Sequence, residues 1–161
     1  MRPQKLEVHL GTSGICVGNL FLSSEKRTAF SYSEAWLNHP SFFSISSDLE
    51  NNSAVQYPND VYFRALEDTA PDSWGERVIR RAHAKMRQEN SALSYLTPVD
   101  YLLWVDDEAR IGALRIFNPQ TQTYLRHQEN NRHIPPMVEL ANVISATQSL
   151  DTGTADLQDL K

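Results

Sequence analysis

The sequence predicts an α+β fold, an antiparallel sheet of N-terminal strands packed by helices, and three observations predict it. Apolar residues alternate with polar ones through the first third of the chain. From residue 59 the apolar spacing lengthens to three and four, the period of a helix. An alternating segment then returns at Arg110–Phe117 and supplies a further strand. With 161 residues the chain matches one domain by length. A chain of that size buries roughly 68–70% of its unfolded surface without a disulfide or structural metal.

The elements follow in order. Leu6, Val8 and Leu10 alternate with polar neighbours, and Ile15–Leu22 continues after the turn Gly11–Gly14, so the two form a hairpin. Phe30 and Tyr32 mark a third strand. Ser33 is placed to cap a short helix through Trp36 and Leu37. Phe43–Ser47 suggests an edge strand and Asp48–Ser53 a polar loop. Asn59 is the expected cap of a helix carrying Val61, Tyr62, Ala65 and Leu66, ending before Pro71. Asp72 or Ser73 starts a longer helix to about Gln88, its apolar face drawn through Trp74, Val78, Ala82 and Met86 with Ile79 beside them. Thr97, Pro98 and Asp100 form a strong start for a helix over Tyr101–Trp104. Asp106–Ala109 turns into the strand Arg110–Phe117, and a short strand is expected near Thr123–Arg126. Two amphipathic helices, Met137–Ser149 and Thr154–Lys161, complete the expectation. Residues 1–130 form the domain and 131–161 a helical connector.

Composition excludes several classes. The hydrophobic share of 40% and charged share of 22% are globular, not disordered. A net charge of −5 argues against direct nucleic-acid binding driven by phosphate neutralisation. No apolar run reaches the roughly 20 residues that span a bilayer, and the start lacks a signal-peptide core, so neither membrane nor export is indicated. Cys16 is the sole cysteine and has no internal disulfide partner. These features point to the cytoplasm.

Chemistry-bearing motifs are sparse. Gly11-Thr-Ser-Gly14 with Gly18 resembles a phosphate cradle, but a strand follows where a cradle needs a helix N-terminus, so a hairpin turn is expected. Asp106-Asp107-Glu108 is expected to be a solvated turn, because adjacent carboxylates diverge where a hard cation needs convergence. The five histidines, His9, His39, His83, His127 and His133, show no zinc-ligand spacing. Cys16 is assigned to packing. Arg77, Arg80, Arg81, Lys85 and Arg87 lie on one helix as a solvated or partner-facing surface. No catalytic, cofactor-binding or metal-ligating residue is assigned, and no cofactor is expected.

Three segments nonetheless resemble a known family. Phe30-Ser-Tyr32-Ser-Glu-Ala-Trp36-Leu37 is similar to the F-x-Y-x-x-x-W-L motif in the N-terminal domain of HipA-type serine/threonine kinase toxins. Ala70-Pro71-Asp72-Ser73-Trp74-Gly75-Glu76-Arg77, followed by Val78-Ile79-Arg80-Arg81, resembles that family's L-P-D-x-x-x-x-R helix start. Asp106–Arg115, with Gly112, Ala113 and Leu114, is similar to its V-G-A-L segment. The sequence departs at Ser44–Leu49, where Ser-Ile-Ser-Ser-Asp-Leu replaces the family's S-L-S-L-P, and at Ala70. The resemblance implies structural or partner-facing roles for Phe30, Tyr32, Trp36, Leu37, Pro71, Asp72, Trp74, Arg77, Arg80, Gly112, Ala113 and Leu114.

The family's phosphoryl transfer needs a phosphate-covering loop, a base and magnesium ligands. The sequence displays none of these, so no kinase activity is expected of it alone. The expected function is a non-catalytic N-terminal domain, truncated or a remnant, of a HipA-like kinase toxin in a toxin–antitoxin system. The alternative is a stand-alone HipS-like protein that binds and neutralises a separate HipT-like kinase. The implied partners are a HipB-like DNA-binding antitoxin or that separate kinase, with self-association through the C-terminal helices.

Overall fold

The computed structural model describes residues 4–23 and 27–125. Five antiparallel strands form one sheet: β1 (Gln4–Leu10), β2 (Ile15–Leu22), β3 (Thr28–Tyr32), β4 (Leu114–Asn118) and β5 (Thr123–Tyr124). Their spatial order is β3-β2-β1-β4-β5. The N-terminal hairpin therefore sits in the middle of the sheet, and the strand that follows the helices adds to its free edge. Gly11 and Gly14 have φ of +55° and +68°, backbone angles that glycine adopts without strain. They make the expected hairpin turn.

Pairing runs regularly from Gln4↔Leu22 to Val8↔Gly18, then shifts so that His9 faces Cys16. Val17 is the extra residue of this bulge and is fully buried. Gly18 lies under the Phe30 ring, where a Cβ would overlap both that ring and the Ser31 carbonyl oxygen. One sheet face, with Leu6, Val8, Leu20, Phe30, Tyr32 and Ile116, forms the core.

Four helices lie between β3 and β4: α1 (Glu34–Leu37), α2 (Arg64–Glu67), α3 (Ser73–Glu89) and α4 (Pro98–Trp104). Trp36, Leu66, Val99 and Leu102 bring α1, α2 and α4 onto the sheet core. The expected caps at Ser33 and Asp72 hold, with their side chains accepting from Trp36 and Gly75 amides at 3.1 and 2.8 Å. Asp100 accepts the Thr97 N–H and hydroxyl, each at 2.7 Å, as the Thr-Pro-x-Asp pattern predicts.

Several expectations are corrected. Asn59 caps nothing, because α2 starts five residues later at Arg64 and is one turn long. Phe43–Ser47 is not a strand; instead Gln56 bridges Phe30 and covers the β3 edge, with N–H···O contacts of 2.9 and 2.8 Å. The strand expected from Arg110 starts at Leu114, after a 3-10 turn at Asp107–Ala109. The buried side of α3 runs through Gly75, Val78, Ile79 and His83, about one residue on from the face drawn through Trp74. Trp74 is only half-buried. The helices expected at 137–149 and 154–161, the end of the strand at Arg126, the boundary at 130, and His127 and His133 lie outside the described residues.

Candidate functional site

The first family-like motif is architecture. Phe30, Tyr32 and Trp36 are at most 1% exposed. The Tyr32 hydroxyl accepts the Ile45 N–H at 3.0 Å, pinning the 39–49 loop to the sheet. The Trp36 ring stacks on His39 and meets Phe42 and Phe43, with ring centroids 5.3–5.9 Å apart. Leu37 packs against the core edge. In the second motif Pro71 and Asp72 terminate the preceding turn and cap α3. Arg77 and Arg80 face outward on that helix.

The third motif overturns the solvated-turn expectation. Asp106 and Asp107 are 7% and 8% exposed, and Glu108 alone of the three is exposed. Asp106 accepts the Glu108 amide at 3.2 Å, and Asp107 is ion-paired with Arg115 of β4. Arg110 donates to the carbonyls of Thr69, Leu102 and Val105 at 3.2, 3.0 and 3.0 Å. One guanidinium thus satisfies the C-terminal ends of two helices. Burial pushes the Arg110 pKa down to about 10, with the Asp107 and Asp106 charges opposing, so the group stays protonated at neutral pH. Gly112 and Ala113 are exposed, and the Ala113 carbonyl accepts the Gly11 N–H at 2.7 Å. Leu114 is buried at the start of β4.

What remains for function is surface. Beside α3 lies an open groove of about 530 Å³ lined by Arg80, His83, Arg87, Tyr95, Leu96 and Tyr101. Its basic and aromatic groups are ordered by one another. The Arg87 guanidinium lies 3.9 Å over the Tyr95 ring and donates to the Leu93 carbonyl at 3.1 Å. Arg80 Nε donates to the Tyr101 hydroxyl at 3.3 Å. His83 is buried at the groove floor, edge-on to Trp104 with centroids 5.7 Å apart. Such a surface can receive an acidic segment of a partner protein. The basic helix is legible in the sequence, whereas Tyr95 and Tyr101 are not, since their place beside it depends on the α3–α4 connection. Phe43, Val55 and Tyr57 add exposed apolar area near the sheet edge.

A second cluster lies on the sheet face away from the helices. Glu7, His9 and Cys16 each offer a ligand-type atom, all within 4.8 Å of one another. His9 Nε2 and Glu7 Oε2 are 2.9 Å apart. In-chain spacing of histidines could not reveal this grouping, because the hairpin register supplies Cys16.

These features define a small α+β domain whose motifs hold its architecture and whose surface offers a basic, aromatic groove. The chain belongs to the HipA N-terminal domain family, whose model matches residues 6–99, more than half of its length. That match contains the first two motifs, and the third lies just beyond it. No curated protein matches the chain.

Proposed function

We propose that this domain is the non-catalytic, protein-binding part of a HipA-like kinase toxin in a toxin–antitoxin system, docking the kinase core and its antitoxin rather than transferring phosphate. The observation that carries this reading is the family match over residues 6–99. Two features support it. Most residues that resemble the family's motifs sit in caps, core and turn ties, whereas Arg77 and Arg80 face outward and Arg80 lines the groove. The polar groups of the α3 groove, led by Arg80 and Arg87, suit recognition of an acidic surface. The partners in this reading are proteins, a HipB-like antitoxin or the kinase core itself.

The test is co-expression with a HipA-type kinase core that lacks its own N-terminal domain. A 1:1 complex in sedimentation, with growth arrest kept or strengthened, is the expected result. A complex that relieves growth arrest would assign the chain to HipS-like neutralisers instead. Absence of any complex, or micromolar magnesium-dependent ATP binding by the chain alone, overturns the reading.

A further inference from the structure

We propose that Glu7, His9 and Cys16 form a site for a thiophilic divalent cation of the zinc type on the outer face of the sheet. The site is created by the bulge in the central hairpin. Regular pairing would set His9 opposite Val17, whereas the shifted register sets it opposite Cys16. Glu7 lies two residues from His9 on the same strand and the same face. An imidazole, a thiolate and a carboxylate are the three donor types that zinc takes from proteins. The combination of N and S donors selects against magnesium and calcium, which take oxygen.

The geometry fits the ion. Bonds of about 2.0–2.3 Å around a tetrahedral centre place neighbouring ligand atoms roughly 3.3–3.8 Å apart. The three atoms here already fall within 4.8 Å, so rotations of the Glu7 and Cys16 side chains close the set. The thiol now donates to the Gly18 carbonyl at 3.5 Å and would turn away from it. Three protein ligands leave a fourth position for water.

The surroundings are those of a metal-bound histidine. His9 Nδ1 lies 3.2 Å from the Tyr124 hydroxyl, the outer hydrogen bond that fixes tautomer and ring orientation when Nε2 holds a metal. Phe117 stacks on the imidazole at 4.8 Å with an interplanar angle of 18°, and His9 is 8% exposed. The ring is therefore positioned before any ion arrives. The Cys16 thiolate and the Glu7 carboxylate together carry two negative charges, which a divalent cation between them neutralises. Arg115, across the strand from His9, is turned onto Asp107 and Tyr124.

The experiment uses the full chain stripped of metal, titrated with Co²⁺ and then competed with Zn²⁺. We expect one equivalent bound, with a dissociation constant on the order of 1 µM for Zn²⁺, and a thiolate-to-cobalt charge-transfer band. Cys16→Ser should abolish the band. Tyr124→Phe should weaken binding about 10–100-fold, as loss of an outer hydrogen bond does. Glu7→Gln, a same-shape change at a half-buried side chain, keeps the fold testable and should also weaken binding at least tenfold. A folded chain that gives no charge-transfer band overturns the proposal. So does a band whose strength and affinity survive both His9→Gln and Glu7→Gln.

Discussion

Helices α2 and α3 are separated by only a few residues around Pro71, yet their ends are held in opposite ways. The start of α3 is closed from within, by Asp72 accepting the Gly75 amide at 2.8 Å. Its 17 residues make it long enough to be marginally self-supporting. The four residues of α2 are far too few for that. Its first amide, at Arg64, donates to Asp48 at 3.2 Å, and Ala65 donates to the Ser46 hydroxyl at 3.3 Å. The Thr69 carbonyl just beyond its C-terminal end goes to Arg110. Thus α3 is specified by its own sequence, whereas α2 exists because a loop before it and a turn long after it supply its partners.

The largest expected effect separates Trp36, on the sheet-side helix α1, from Trp74 in the first turn of α3. Trp36 is 1% exposed, so Trp36→Ala should cost about 3–5 kcal/mol and yield largely molten or insoluble protein. Trp74 is half-buried on α3, and Trp74→Ala should cost about 1–2 kcal/mol and keep a cooperative melt. Chemical denaturation of both variants checks this. Equal losses would mean that α3 is as deeply tied to the core as the sheet-side helices.

Next in size is Arg110→Met, which keeps the side chain's bulk but leaves three carbonyls without their donor. Removing a charged donor costs about 1.5–3 kcal/mol, and here the loss should appear first in α2 and the end of α4. Hydrogen exchange should show amides of residues 64–70 opening well before those of α3. Uniform loss of protection across both helices would break the contrast.

Asp72→Ala removes the local cap and should cost about 1 kcal/mol. Because the hydrogen bond described for that carboxylate is to the local Gly75 amide, the loss should fray the first turn of α3 and leave α2 protected. A cost exceeding that of Arg110→Met would reverse the ranking of local and distant ties.

That ranking also explains what was legible in the sequence. Alternation gave β1, β2 and β3, and adjacent cap residues gave α1, α3 and α4, because each signal sits within four residues of what it controls. Local sequence points to Asn59 for the start of α2, because the actual capping groups, Asp48 and Ser46, lie 16 and 19 residues away from the amides they accept. The acid run at 106–108 reads as solvated from composition alone, because Arg115 and the three carbonyls bound by Arg110 are not visible in it. The same blindness hid both surface clusters. His9 meets Cys16 only through a bulge, and Tyr101 meets Arg80 only through the packing of α4 on α3.

The smallest effect tests the distant cap by pH. Asp48 is exposed. Its slight burial works to raise its pKa, but hydrogen bonds from the Ser46 hydroxyl and the Arg64 amide, with the Arg64 charge, prevail and hold it below the ordinary aspartate value. A carboxyl whose pKa is lower folded than unfolded contributes stability above its unfolded value, near 3.9. That contribution disappears as pH falls through the lower folded value. Asp48→Asn keeps the shape and gives up the charge, so the parent should melt about 1–2 °C higher than the variant at pH 6. The difference should shrink below about pH 4 and vanish once Asp48 is protonated in both folded and unfolded chains. A difference that persists unchanged at pH 2 would show that the Asp48 charge plays no part in starting α2. The helix would then rest on Ser46 and the Arg110 clasp alone.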